Sequence, residues 1–285
     1  MTIDCKPSKL TLRVYNVGFG DCFLLTFHYP ARDRHVLIDF GSTGSAGESG
    51  LLLRIAKDIS KRCYGKLDAV VATHRHRDHV NGFATRHNGK GPGDIIAACR
   101  PELVVQPWTE HPDAPASGTC FSLFEKSPGF IGENNLPNLS AVKNLQKMAR
   151  RNRYVHFGAD SGLENLLPGV TAQVLGPPTL QQSQSIRKER SEDRGEFWLT
   201  RALLTHAAAA RLFPRAATCT PSARSPHTRW FLRRLRSVRS ERLVQIVREL
   251  DAALNNTSVI LLFEVGNKKL LFPGDAQIEN WSYAL

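Results

Sequence analysis

Three histidines and an aspartate fall close together at His74, His76, Asp78 and His79, in the order His-x-His-x-Asp-His. All four are metal-ligand types. In an extended segment residues two apart point the same way, so His74 and His76 converge on one point. The pair Asn81-Gly82 signals a turn. That turn swings Asp78 and His79 to the opposite side, toward a second point about one metal–metal spacing (~3.5–4 Å) away. Neutral imidazole and carboxylate suit zinc, with manganese and iron as alternatives, so the pattern predicts two divalent metal ions. The competing reading is a solvated loop that happens to be rich in histidine. Four ligand-type residues directly after an apolar strand speak against it.

The elements that must position these residues follow from local pattern. Ala69 to Ala72 is β-rich and too short for a helix, so it reads as a buried strand that ends in the histidine loop. Upstream, Lys9 to Asn16, Cys22 to Tyr29 and Arg34 to Phe40 read as strands separated by short turns, a meander. Leu52, Ile55 and Ile59 repeat at helical spacing and predict a helix over 51–61. A short helix over 95–99, a strand over 102–106, a basic amphipathic helix over 139–151 and a strand over 170–175 follow. Residues 108–137 are dense in Pro, Gly and Ser and read as a long loop or lid, and Thr179 to Glu196 is polar without a core pattern. Trp230 to Leu254 carries an apolar stripe at helical spacing. Thr257 to Val265 is a strongly apolar strand, Gly266-Asn267 a hairpin turn, and Lys268 to Phe272 the return strand that delivers Pro273-Gly274-Asp275. His111 and His156 are isolated histidines with no ligand pattern around them.

The histidine loop resembles the signature of the metallo-β-lactamase fold superfamily, the dinuclear metallohydrolases. Asn16 to Leu25, with Val17-Gly18-Phe19-Gly20-Asp21, is similar to the opening motif of one branch, typified by the hydrolase-like domain of bacterial DNA-uptake channel proteins. Leu271 to Ala276 resembles the superfamily's later Gly-Asp motif. The resemblance covers residues 9–83 and 254–281. It implies an α/β fold, an αββα sandwich of the metallo-β-lactamase type, running as one domain over 1–285 with a basic insert at 179–228. It further implies that His74, His76, Asp78, His79 and Asp275 hold the metals, that Asp275 bridges them, and that Asp39 braces the loop from behind. A metal-activated water is then the nucleophile, with Asp78 orienting it and taking up a proton.

Two departures from that family pattern stand out. The place of a third histidine for the first metal reads Asn255-Asn256-Thr257-Ser258. Asn255 and Ser258 could hold a metal-bound water or a substrate phosphate by hydrogen bonds; a cap or turn role is the alternative. The sequence also ends at Leu285, short of the family's last histidine. That predicts a truncated chain whose final helix and strand are missing and whose second metal site is weak.

Composition narrows the setting. The net charge is +12, and residues 187–248 hold fifteen Lys and Arg against five acidic residues. Such a window could attract nucleic acid, or form a solvated helix face or disordered insert. No apolar run spans a membrane, no signal-peptide core opens the chain, and the six cysteines form no C-x-x-C pair, so a cytoplasmic, reduced protein is expected. Neither a G-x-S-x-G nor a Walker loop is present. Three readings remain: a metal-dependent hydrolase of phosphodiesters, a hydrolase of small esters, thioesters or lactams on the same metals, and a non-catalytic, decayed fragment that binds nucleic acid or a partner.

Overall fold

The computed structural model describes residues 6–43, 50–112, 138–179, 182 and 257–285. Contacts divide the chain into two compact units, Met1–Gln182 with Leu254–Leu285, and Ser183–Ala253. The second unit, residues 113–137 of the expected long loop over 108–137, the expected helix over 230–254 and the Arg-rich window lie outside the described residues.

The first unit is mixed α/β. One sheet has six strands in sequence order: β1 (Lys9–Val14), β2 (Phe23–His28), β3 (Arg34–Ile38), β4 (Ala69–Val71), β5 (Leu103–Pro107) and β6 (Arg151–Val155). The first three pair antiparallel, as the meander reading expects, and β3 to β6 are parallel. The crossovers carry helices α1 (Leu51–Arg62), α3 (Pro92–Ala98) and α4 (Leu139–Lys147), with a single turn, α2 (Arg77–Val80), at the histidine loop. A second sheet holds β7 (Val170–Gly176), β8 (Ile260–Val265) and β9 (Lys268–Phe272), all antiparallel, and α5 (Ile278–Ala284) follows it.

Strand periodicity explains how these elements layer. Leu24, Leu37, Val70 and Val104 pack toward Ile55, Ile59, Ile96 and Leu145 of the helices. Their neighbours Leu25, Val36, Val71 and Val105 point the other way, onto Val174, Leu261 and Phe263 of the second sheet. The central strands of the six-stranded sheet are thus buried on both faces, which is why β4 and the first three residues of β5 are continuous apolar runs rather than alternating ones. Among the described residues no helix is long and apolar enough to cross a membrane.

Among the described residues the sequence reading departs from the structure most at one strand. The expected helix over 139–151 stops at Lys147, and Arg151–Val155 is a strand. Its residues Arg-Asn-Arg-Tyr-Val lie on the open side of β5 and are half exposed, so an edge position tolerates a polarity that conceals the strand pattern.

Asp68, just before β4, is the main polar tie at the opposite end of the strands from the histidines. Its buried carboxylate, 2 % exposed, accepts from Arg32 at 2.7 Å, Arg34 at 2.9 Å and the His35 backbone N–H at 2.8 Å. Burial raises its pKa, and the His35 amide and Arg32 oppose that rise. We expect Asp68→Ala to lower the unfolding free energy by roughly 2–3 kcal/mol, the range for hydrogen bonds to a charged group, since both arginines still reach water. Urea unfolding followed by circular dichroism measures it, and an unchanged midpoint would show the tie to be dispensable.

Candidate metal centre

The parallel strands deliver the candidate ligands from their C-terminal ends, where open α/β sheets place their sites. Asp39 follows β3, Thr73 to His76 follow β4, and α2 carries Asp78 and His79. The second sheet contributes Asp275 from the end of β9. Gly274 makes that delivery possible. Its φ is +53°, and a side chain there would press on Thr73, with Cβ contacts of 2.8 Å. The hairpin and the histidine loop are further joined by the Val259 N–H donating to the Thr73 carbonyl at 2.8 Å.

Asp39 lies beneath this assembly, 1 % exposed and at φ +51°. Its Oδ1 accepts the Thr73 N–H at 2.7 Å. Its Oδ2 accepts the Thr73 hydroxyl at 2.7 Å and pairs with His79 Nδ1 at 2.8 Å. The Thr73 hydroxyl, having given its proton to Asp39, accepts from His74 Nδ1 at 3.1 Å. Both rings are therefore protonated on Nδ1, and each directs Nε2 outward. His74 Nε2 lies 3.1 Å from His76 Nδ1 and 3.8 Å from Asp275 Oδ2. His79 Nε2 lies 3.2 Å from Asp275 Oδ1 and 3.9 Å from Asp78 Oδ2.

Among the described residues, three donor groups with ligand atoms within 4.8 Å of one another could hold a metal ion: His74, His76 and Asp275; Asp78, His79 and Asp275; and Asp21, Asp39 and His79. The electrostatics fit a cation. Burial, aided by His79 and His76, holds His74 well below the usual imidazole range and hence neutral. Burial also pulls His79 down, but Asp39 and Asp275 outweigh it and push its pKa up to about 11. The His79 hydrogen bond in turn holds the Asp275 carboxyl below its ordinary value, against the pull of burial. The carboxylates of Asp21, Asp39, Asp78 and Asp275 all act on this imidazolium or on one another. Acids outnumber the charged imidazole, and a divalent cation offsets that excess.

His74, His76, Asp78, His79 and Asp275 are brought together, with Asp39 under them. Ser258 is fully buried, its carbonyl accepting from Asn280 Nδ2 at 2.9 Å, and its hydroxyl has no protein partner among the described residues. It backs Gly274 and is closed to solvent. Asn255 lies outside the described residues. His111 stacks on Tyr154 and His156 Nδ1 sits 2.9 Å from the Phe157 carbonyl; neither joins a donor group.

Asp21 is the residue the sequence reading did not name as a candidate. Its carboxylate lies 3.8 Å from His79 Nδ1, and its backbone N–H donates to the Asp78 carbonyl at 3.1 Å. The preceding Gly20, at φ +141°, lies so close to the Asp78 carbonyl oxygen that any Cβ would overlap it. The Gly-x-Gly-Asp turn is thus packed flush against the metal loop, and its only sequence signal was the motif itself. No protein-family model matches the chain, and no curated protein matches it.

Asp39→Asn replaces an acceptor oxygen by a donor and so cannot keep both imidazoles in the Nδ1–H form. The expected outcome is a 10–100-fold loss of metal affinity, as for other partners of ligand histidines. Titration with zinc monitored by calorimetry reads it; an unchanged affinity would remove Asp39 from the centre.

Proposed function

We propose that this chain is a metal-dependent hydrolase of the metallo-β-lactamase type, αββα in plan, and that its substrates are phosphodiesters of nucleic acids or nucleotides. One observation carries the reading. The Asp275 carboxylate, from a hairpin of the second sheet, meets the outward nitrogens of His74 and His79 at 3.8 and 3.2 Å, so one acid is shared by two donor groups.

His74, His76 and Asp275 would hold one cation, and Asp78, His79 and Asp275 a second, with zinc the best match to the donors and manganese or iron the alternatives. Cations at such sites supply a water acidified from a pKa of 15.7 toward ~7, and polarise the scissile phosphoryl or carbonyl oxygen. The chain's own residues do the rest. Asp39 keeps the imidazoles in the ligand tautomer. Asp78 orients the attacking water and accepts its proton on the carboxylate. Asp21 adds negative charge beside His79. The phosphodiester assignment draws on the net charge of +12 and the basic window over 187–248, because such charge attracts phosphate backbones.

Zinc-loaded protein should hydrolyse bis(4-nitrophenyl) phosphate and single-stranded DNA. A chelator should abolish turnover, and zinc should restore it. His76→Ala should remove all of it; turnover unchanged in that variant would refute the site. Cleavage of a lactam or thioester without phosphodiester cleavage would move the substrate class, and bound zinc without any turnover would make the chain a binding protein.

A further inference from the structure

We infer that the buried ion pair between Arg75 and Glu110 is a positioning device that sets the spacing of the His74 and His76 imidazoles, an inference that rests on the metal reading above. The segment is extended, with His76 at φ −59° and ψ 150°, so alternate side chains leave it in opposite directions. His74 and His76 turn toward each other, 3.1 Å apart. Arg75 is therefore thrown to the other side, into the protein.

There its side chain is 4 % exposed and its Nη2 lies 3.2 Å from Glu110 Oε2, itself 4 % exposed. Glu110 closes the turn Trp108–Glu110 that follows β5 directly. The pair therefore ties the ends of two adjacent parallel strands. A cavity of about 10 Å³ lined by His74, Arg75, Gln106 and Glu110 adjoins it, room for about one water. Gln106 Nε2 is buried here without a protein partner among the described residues.

Stability does not account for this arrangement. A buried ion pair seldom improves on two apolar side chains of the same volume, while loss of one partner costs several kcal/mol. What the pair adds is direction. Rotating the segment 74–76, the motion that would part the two imidazoles, pulls the guanidinium off its carboxylate in a low-dielectric interior. Glu110 also offsets a positive charge that would otherwise stand beside a cation site. Arg75 is too deeply buried to touch substrate, so its role is exerted through its neighbours.

The test measures zinc affinity by competition with a chromogenic chelator, together with the melting temperature of the metal-free protein. E110Q should weaken zinc binding about tenfold or more, and the apolar double variant R75M/E110M, which keeps residue 75 buried but lacks the ion pair, should stay about as weak while its metal-free melting temperature returns toward that of wild type. Should E110Q not fold, E110D serves, because it keeps the charge but withdraws it by one methylene, and about a threefold weakening is expected. A lowered melting temperature with unchanged zinc affinity in the variant that folds would reduce the pair to a structural role and overturn the proposal. So would a double variant that binds zinc as tightly as wild type. If the wild-type protein binds no zinc, the metal reading falls and takes this one with it. That outcome is distinct from zinc bound equally by wild type and E110Q, which sinks the positioning role alone.

Discussion

The arrangement depends on one buried carboxylate. Asp39 stands at the end of β3 in a left-handed conformation, which places both of its oxygens under the neighbouring strand end. Through the Thr73 hydroxyl it governs His74, and directly it governs His79. An acceptor-only group there holds a proton on Nδ1 of each ring. The outward direction of each Nε2 is thus fixed by hydrogen bonding inside the protein, and a cation that binds His79 displaces the second proton of its imidazolium. A neutral side chain of the same size could not do this, because it would have to donate where acceptance is required.

Around that carboxylate the fold supplies rigidity in layers. The central strands are apolar on both faces, helices on one and the second sheet on the other. The loops at their ends therefore start from a scaffold with little freedom. The glycines near the loop act by their lack of a side chain. Gly20 lets one backbone lie against Asp78, and Gly274 lets the hairpin approach Thr73. The candidate ligands sit on loops at the strand ends, and what holds those loops is nearly all buried. Position 75 shows the division most clearly, since it separates two candidate ligands while its own side chain faces the interior.

Much of this was legible in the sequence where signals are local. The meander, the buried strand before the histidines, the β8–β9 hairpin and the Gly-Asp at its end follow from short-range periodicity and turn chemistry. The helix over 51–61 was placed within a residue of its observed end. What escaped depends on contacts between distant segments. β6 is polar because it lies on an open side, so its strand character shows only once β5 is beside it. Asp21 and Glu110 are ordinary acids in sequence, and their partners His79 and Arg75 lie far along the chain. Ser258, which stands where the resemblance expects a third histidine, has its hydroxyl enclosed by the structure, a burial that no local pattern in the sequence signals.

The shared acid at the end of β9 has a thermodynamic consequence. Its donor partners belong to the six-stranded sheet, while it belongs to the three-stranded one. An ion gripped by both would act as a clasp between layers that otherwise adhere mainly through apolar contact. Because neither layer alone presents the full donor set, such an ion discriminates between native and denatured chain. Mass action then couples occupancy to cohesion: at a free concentration one hundred times the dissociation constant, the native state gains about 2.7 kcal/mol.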